Sequence, residues 1–369
     1  MAETVRQLAE ELHALARTLN RRAQVMEVCG THTVSIFRNG LRSLLPENVN
    51  LISGPGCPVC VTAQRHIDAA IRLAGRKDVI LATYGDMMRV PGALGSLEQQ
   101  RARGADVRVV YSARGAIELA EAHPNHAIIF IAVGFETTAP ATAAMLLEAE
   151  QRDVKNLYIV EAHKLVIPAM LALLAGGDVP IDGFLCPGHV SIVIGANAYE
   201  PIVTRHHKPC VVAGFEPPNI MRGLVHLLRQ IAAGEAKSEN VYGVAVSAEG
   251  NRVAQATIDR VFVPADAAWR AIGVIPGSGL ALRPAFERFD ALRHFEIELG
   301  EDQDPPGCRC GEVIQGKVTP AACALFATRC TPTDPVGPCM VSSEGTCAAW
   351  YKYRPADARA ATGKGGNAT

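Results

Sequence analysis

The sequence predicts an α/β protein with two similar parallel-sheet (Rossmann-like) domains and a small cysteine-rich module near the carboxyl end. Short β-branched runs recur at roughly 25–30-residue intervals and alternate with segments of helical periodicity, a pattern typical of βαβ units. The runs at 79–82 and 128–133 are apolar at nearly every position, as expected for strands covered on both faces. Six of the eleven cysteines crowd into residues 308–347.

Eight strands are predicted at the short apolar runs 25–28, 50–52, 79–82, 107–111, 128–133, 157–160, 183–186 and 210–213. Helices are predicted between them at 62–74, 113–122, 138–150, 165–174 and 219–231. Leucines 8, 12, 15 and 19 follow helical spacing and predict an N-terminal surface helix that packs on the body.

The predicted elements divide into two halves of four strands. The turns after the first and fifth strands, VCGTHT and VGFETT, are similar, which suggests a duplication with the boundary near residue 123. We therefore expect one domain at 1–123 and a second at 124–240. A connecting or closing segment follows at 241–300, with strands at 242–246 and 260–263 and a turn at 276–279. The cysteine module is expected at 301–353 and a tail at 354–369.

Composition and charge exclude several classes of protein. The 36 basic residues nearly balance the 37 acidic ones, so the basic footprint of a general nucleic-acid-binding protein is absent. Acidic residues at positions 3, 10 and 11 argue against a signal peptide, and no apolar stretch has the length of a membrane span. We expect a cytoplasmic protein. An odd number of cysteines in such a chain favours metal or redox chemistry over a disulfide scaffold.

The cysteine module has the strongest chemical signal. Four of its cysteines have the spacing C-x14-C-x6-C-x16-C: Cys308, Cys323, Cys330 and Cys347. Cys310 and Cys339 lie between them, and their roles are open. A loop-rich segment with few apolar residues needs a metal or covalent staple, and iron–sulfur clusters take four thiolates. A structural zinc site is the alternative, although its usual paired C-x2-4-C hooks are missing.

Cys57 and Cys60 form a C-x-x-C sequence after the turn 54–56, at the predicted start of a helix. This spacing brings two sulfurs close enough to form a disulfide, and a helix N-terminus favours the thiolate. Two functional interpretations are open: the cysteines are a redox-active dithiol, or they are a pair of metal ligands. The structural interpretation is that they are two inert buried thiols.

Cys29 ends the first strand and precedes a helix in the sequence CGTHT. A thiolate at this place faces exposed backbone N–H groups, and Gly30 permits close approach of a ligand. His32 and the threonines beside it offer hydrogen bonds to whatever the sulfur holds. A cysteine at a strand end is by itself more often packing than a ligand, but Cys57 and Cys60 are expected at the same edge of the sheet.

Weaker candidates also follow strand ends, where parallel sheets bind ligands. They are Asp86, Glu136, His163, Lys164, Cys186 and His189. Glu136 has the alternative interpretation of an acidic residue in the first turn of its own helix. Cys210 lies within an apolar strand and is expected in the core.

The motif set resembles the HypD family of [NiFe]-hydrogenase maturation factors. The resemblance runs from about residue 20 to 353 and is carried by MEVCGTHT, SGPGCPVCVT, GFETTAP, CPGHVS and the terminal cysteine pattern. It implies a [4Fe–4S] cluster at Cys308, Cys323, Cys330 and Cys347. It also implies an iron-binding role for Cys29 and a redox-active pair, linked with iron binding, at Cys57 and Cys60.

The resemblance further implies a function in assembling the Fe(CN)2CO group of the hydrogenase active site. A complex with HypC would hold the iron, HypE would donate cyanide, and the hydrogenase large subunit would receive the product. Neither nucleic acid nor membrane is expected as a partner. The hypothesis is that electrons pass from the cluster through Cys57 and Cys60 to iron at Cys29, with His32 stabilising bound cyanide. The alternatives are a cluster-dependent thiol–disulfide oxidoreductase acting on proteins and a zinc-containing structural adaptor.

Overall fold

The structure, a computed structural model, describes residues 2–353, so the tail predicted at 354–369 lies outside the described part of the chain. The strands are β1 (Ala23–Glu27), β2 (Val49–Ser53), β3 (Val79–Thr83), β4 (Val107–Val109), β5 (Ala127–Ala132), β6 (Leu157–Glu161), β7 (Gly183–Pro187), β8 (Cys210–Ala213), β9 (Ser238–Asn240), β10 (Phe262–Trp269) and β11 (Gly273–Leu282).

The helices of the amino-terminal half are α1 (Ala2–Ala16), α2 (Gly30–Arg38), α3 (Pro58–Val61), α4 (Gln64–Ala74), α5 (Leu97–Ala102), α6 (Gly115–Ala122), α7 (Ala139–Gln151) and α8 (Val166–Gly176). Those of the carboxyl-terminal half are α9 (Gly188–Ile194), α10 (Glu200–His206), α11 (Pro217–Ala233), α12 (Arg252–Val261), α13 (Ala291–His294), α14 (Cys310–Ile314), α15 (Pro338–Val341) and α16 (Thr346–Tyr353). No helix within 2–353 is long and apolar enough to cross a membrane.

Two compact units share the chain. The described residues of the first are 2–57, 170–250 and 306–353. Its five-stranded sheet has the order β2-β1-β7-β8-β9, with all neighbours parallel. The second comprises 58–169 and 251–305 and has a parallel sheet of order β4-β3-β5-β6 and an antiparallel β10–β11 hairpin. The predicted α/β class is confirmed.

The units differ from the consecutive ranges that the strand spacing suggested. β1 pairs with β2 on one side and with β7 on the other, whereas β3 pairs with β4 and β5. The boundary therefore does not fall near residue 123. Strand spacing is the same in any α/β protein, so the periodicity predicts that strands exist but not which strands share a sheet.

The core of the first unit explains the position of the N-terminal helix. Leu12 and Ala16 of α1 are buried in one apolar cluster with Val25 of β1 and with Leu224 and Leu228 of α11. Fully burying a leucine side chain contributes on the order of 2 kcal/mol, so this face holds α1 on the body, as predicted.

Two predictions for the segment 241–300 are wrong. Residues 242–246 form a turn, in which the amides of Ala245 and Val246 donate to the carbonyl of Tyr242. The expected turn at 276–279 lies inside β11, next to a register irregularity between Ala265 and Ala267. A two-stranded hairpin with a bulge tolerates glycine and proline that a central strand would not. A strand does begin at Phe262, but α12 occupies the residues before it.

Candidate thiol and metal site

Cys29 is the N-cap residue of α2, in extended conformation, and its residue surface is 9% exposed. Burial raises the pKa of its thiol to about 12, and the negative charge of Glu344 acts in the same direction. The backbone N–H groups of Thr31 and His32 lie near enough to lower this pKa, although the Cys29 side chain accepts no capping hydrogen bond. Because burial dominates, the uncoordinated side chain is a neutral thiol at physiological pH.

The loop 54–56 lies directly on the backbone of Cys29. The amide of Gly54 donates to the carbonyl of Glu27 at 2.8 Å. A Cβ atom at Gly56 would lie 2.5 Å from the nitrogen and 2.6 Å from the Cα of Cys29, which no side chain tolerates. Glycine at position 56 therefore allows the segment that leads into Cys57 to touch the start of α2.

Cys57 and Cys60 are both disulfide-bonded, and the other nine cysteines are not in disulfides, so the two are bonded to each other. The residues are buried, with exposed fractions of 5% and 1%. The helix predicted at 62–74 is present as α4 from Gln64, but Cys60 lies in a separate one-turn helix, α3, which ends at Val61.

His32 is fully buried and anchored away from its own helix. Its Nε2 donates to the carbonyl oxygen of Gly214 at 3.1 Å, and its ring lies 4.7 Å from that of Phe215. Burial lowers its pKa to about 4, so the imidazole is neutral. Its Nδ1 has no hydrogen-bond partner among the described residues and is left as an acceptor.

Glu27 is a functional candidate that the sequence reasoning missed. The residue is 1% exposed, and its two carboxylate oxygens accept hydrogen bonds of 2.6 Å from the hydroxyls of Thr33 and Ser53. Burial raises its pKa to about 7 despite these bonds and the nearby charge of Arg42. The available signal was a charged residue between the apolar Met26 and Val28, directly before VCGTHT.

The C-terminal cysteine module packs against the start of α2. The hydroxyl of Thr31 donates to Oε1 of Glu344 at 2.7 Å. A Cβ atom at Gly30 would lie 2.5 Å from both Cβ and the carbonyl oxygen of Glu344. The rings of Phe37 and Trp350 also meet at 5.3 Å. The fold thus brings the cysteine module into contact with the helix that begins after Cys29, although the two segments are about 300 residues apart in the chain.

The six cysteines of the module gather around Cys308. A Cβ atom at Gly337 would lie 2.7 Å from Sγ of Cys308 and 3.4 Å from Sγ of Cys310. Burial, and then the nearby Cys308 and Cys323, raise the pKa of Cys330. The pKa of Cys347 is also raised, first by a hydrogen bond with Cys339 and by burial. The nearby Cys339, Cys310 and Cys308 act in the same direction.

The donor set of the module fits, in kind, a thiolate-ligated metal centre. All four predicted ligands carry sulfur, and one of them, Cys330, accepts a hydrogen bond from the amide of Val336 at 3.4 Å. Cys339, which is outside the predicted ligand set, accepts one from the amide of Cys347 at 3.2 Å. Such N–H···S bonds stabilise thiolate charge and tune iron–sulfur clusters. Within 2–353, no three His, Cys, Asp or Glu side chains are arranged as a formed metal site.

The weaker candidates are distributed over both units. In the second unit, Glu136 accepts a hydrogen bond from the amide of Val166 at the start of α8, so it does not cap its own helix. Its residue is 6% exposed, and burial raises its pKa to about 7. His163 bonds Glu161 through Nδ1 at 2.8 Å, and Lys164 is 2% exposed, with a pKa that burial lowers to about 8.

Three further candidates have mainly structural surroundings. Asp86 lies in a short 3-10 helix after β3, and the ring of His189 packs 4.0 Å from Phe215. Cys186 and Cys210 are fully buried on the neighbouring strands β7 and β8, with their side chains in contact, so Cys210 is a core residue as predicted.

Comparison with known proteins gives a consistent result over nearly the whole chain. The HypD model, described as the hydrogenase formation hypA family, matches residues 3–354. The hydrogenase maturation factor HypD of Escherichia coli (strain K12) is 48% identical over 363 residues, covering 97% of each chain. The HypD proteins of Cupriavidus necator and Azotobacter vinelandii are each 45% identical, covering 95% of this chain and 94% of theirs. The chain described above, with its CGTHT helix start against a cysteine module, belongs to the HypD family of hydrogenase maturation factors.

Proposed function

We propose that this chain, in complex with HypC, holds the iron on which the Fe(CN)2CO group of [NiFe]-hydrogenase is assembled, and that it supplies electrons for that assembly. The observation that carries this proposal is the contact of three cysteine-bearing segments at the start of α2. Cys29 begins that helix, the loop into Cys57 lies on its backbone, and Glu344 of the cysteine module packs on Gly30.

Cys29 would be the protein ligand of the iron, which is cargo rather than a resident cofactor. Iron binding removes the thiol proton. The positive charge of the metal stabilises the resulting thiolate and so offsets the unfavourable burial of its charge. The backbone N–H groups of Thr31 and His32 then stabilise the thiolate. One sulfur from this chain and one from HypC leave coordination positions open for cyanide and carbon monoxide.

Cys57 and Cys60 would provide the two electrons that each cyanide transfer requires. Cleavage of a protein thiocyanate, as carried by HypE, consumes two electrons and one proton and yields a thiol and cyanide. Oxidation of two thiols to the Cys57–Cys60 disulfide releases two electrons and two protons, so the steps balance with one proton left over. The hydrogenase large subunit would receive the finished group from the complex.

A [4Fe–4S] cluster held by Cys308, Cys323, Cys330 and Cys347 would relay, when bound, two electrons one at a time from an external reductant, and these electrons with two protons return the disulfide to the dithiol. This chain contributes the amide of Val336, which donates to the sulfur of Cys330, and the packing of Trp350 on Phe37 that holds the module on α2. The neutral His32, with Nδ1 as a free acceptor, would take a hydrogen bond from a protonated ligand or from bound water near α2.

Iron and acid-labile sulfide analysis of the anaerobically purified HypC complex tests the proposal. We expect about four sulfides per chain and about five irons, four of them from the cluster. Cys29→Ala should remove one iron and keep the sulfide, whereas Cys308→Ala should lower both. Zinc without sulfide would contradict the proposal and favour a structural adaptor. Turnover of a generic protein disulfide that survives Cys29→Ala would favour a thiol–disulfide oxidoreductase.

A further inference from the structure

Glu27 joins two cysteine-bearing segments through one buried carboxylate. Its Oε2 accepts a hydrogen bond from Thr33 on α2, and its Oε1 accepts one from Ser53 at the end of β2, both at 2.6 Å. Glu27 and Ser53 are register partners in the parallel β1–β2 pair. The carboxylate thus lies where the strand that leads to Cys29 meets the strand that leads to Cys57.

Each of these two hydrogen bonds is made by a residue close in the chain to one of the cysteines. Thr33 lies one turn after Cys29, and both its amide and its hydroxyl approach the Cys29 carbonyl, at 3.1 and 3.3 Å. On the other side, Ser53 is followed by Gly54, whose amide donates to the Glu27 carbonyl at 2.8 Å. Glu27 therefore holds the start of α2 and the end of β2 with its side chain, and the loop 54–56 with its backbone carbonyl.

Arg42 extends this arrangement to the cysteine module. Its guanidinium donates to the carbonyl of Leu51 at 2.9 Å and lies 4.8 Å from the ring of Phe37 and 5.5 Å from that of Trp350. Trp350 lies one turn after Cys347 on α16. The positive charge of Arg42 acts on Glu27, so a counter-charge supports the buried acid.

A buried carboxylate at this position lowers the stability of the folded protein, and a need to fill space does not explain why an acid is used. Burying an acid is unfavourable, and apolar replacements of buried charged groups are often neutral or stabilising. A carboxylate is, however, a double acceptor that binds two hydroxyl donors at once, whereas an amide offers one acceptor oxygen. The two hydrogen bonds therefore favour a role for Glu27 in fixing the start of α2 relative to the end of β2.

We propose that Glu27 is a positioning residue that fixes the spacing between Cys29 and the Cys57–Cys60 pair, acting through Thr33 and Ser53. The functional meaning of this spacing rests on the proposed function, because electrons from the dithiol would cross this distance to the iron site at Cys29. The two hydrogen bonds have separable effects. The hydrogen bond from Thr33 fixes the backbone around Cys29. The hydrogen bond from Ser53 fixes the end of β2, which leads into the loop before Cys57.

The test uses the full-length chain, purified anaerobically without iron bound at Cys29, and measures two quantities: the Cys57–Cys60 equilibrium constant in glutathione buffers and the rate of Cys29 alkylation. Ser53→Ala should disfavour the disulfide by about tenfold, which is ~30 mV for a two-electron couple, and leave Cys29 alkylation unchanged. Thr33→Val should accelerate Cys29 alkylation about threefold and leave the disulfide unchanged. Glu27→Gln should change both quantities, and Thr33→Ser, which keeps the hydroxyl, should restore the native values.

The exposed acid Glu47 supplies the matched control, because Glu47→Gln removes the same charge elsewhere in the unit and should change neither quantity. If Glu27→Gln leaves both unchanged, or if Thr33→Val and Ser53→Ala each alter both equally, the positioning role is refuted. If Glu27→Gln does not fold, the Thr33 and Ser53 variants decide alone. Because both measurements are made without iron at Cys29, a failure of Cys29 to bind iron would refute the proposed function and leave this result standing.

Discussion

Burial and local charge set the protonation state of the reactive groups in this protein. Cys29 has backbone donors and is still a neutral thiol, because desolvation and the negative charge of Glu344 outweigh those donors. Glu344 is therefore a residue through which the cysteine module acts on the thiol. Glu27 and Glu136, which are also buried, have pKa values raised to about 7.

Removing the charge of Glu344 should make Cys29 more reactive. Glu344→Gln keeps an oxygen that accepts the Thr31 hydroxyl but no longer repels a developing thiolate, so the pKa of Cys29 should fall. We expect alkylation of Cys29 by iodoacetamide at pH 8 to be roughly threefold faster, because only the thiolate reacts. Glu47→Gln is the control. An unchanged rate would show that Glu344 does not set the reactivity of Cys29.

Glu136 should make the stability of the protein depend on pH between about 4.5 and 7. Because its pKa is raised from 4.5 to about 7, the stability it contributes is fully present below pH 4.5 and is lost as the pH rises through 7. Glu136→Gln keeps the acceptor for Val166 and should stabilise the protein by up to about 3 kcal/mol at pH 8 but little at pH 4.5. Chemical denaturation at both pH values measures the difference, and a pH-independent effect would contradict the assignment.

At the scale of elements, glycines determine how closely the functional segments approach. Gly56 lies against the Cys29 backbone and Gly30 against Glu344, and both positions exclude a side chain because the neighbouring atoms include backbone. The loop into Cys57 and the cysteine module therefore reach α2 through contacts that only glycine permits.

Gly56→Ala should destabilise the protein by about 1–3 kcal/mol, because the new methyl group must displace the Cys29 backbone or the loop. Gly176→Ala at the end of α8 is the matched control, since a Cβ atom there has nothing within 4 Å. It should be neutral or stabilising by up to about 1 kcal/mol. Chemical denaturation of both variants provides the comparison, and equal stability of Gly56→Ala and the unsubstituted chain would refute the close contact.

At the scale of the whole molecule, the sequence predicts the elements better than their partners. The apolar runs located β1 to β8 within a few residues, and the motifs located the thiols, because both signals are local. The pairing of β1 with β7 was not predictable from spacing, because more than 150 residues lie between them. Glu27 was missed for the same reason, since only the register of β1 on β2 brings Ser53 to it.

Infrared spectroscopy of the anaerobically purified complex with HypC tests the central claim most directly, because cyanide and carbon monoxide on iron absorb where proteins do not. The account predicts bands in the cyanide and carbonyl stretching regions that are lost in Cys29→Ala, while the acid-labile sulfide content stays unchanged. Bands that persist in Cys29→Ala, or a wild-type complex that contains iron but shows no such bands, would contradict the assignment of Cys29 as the site where the iron is held.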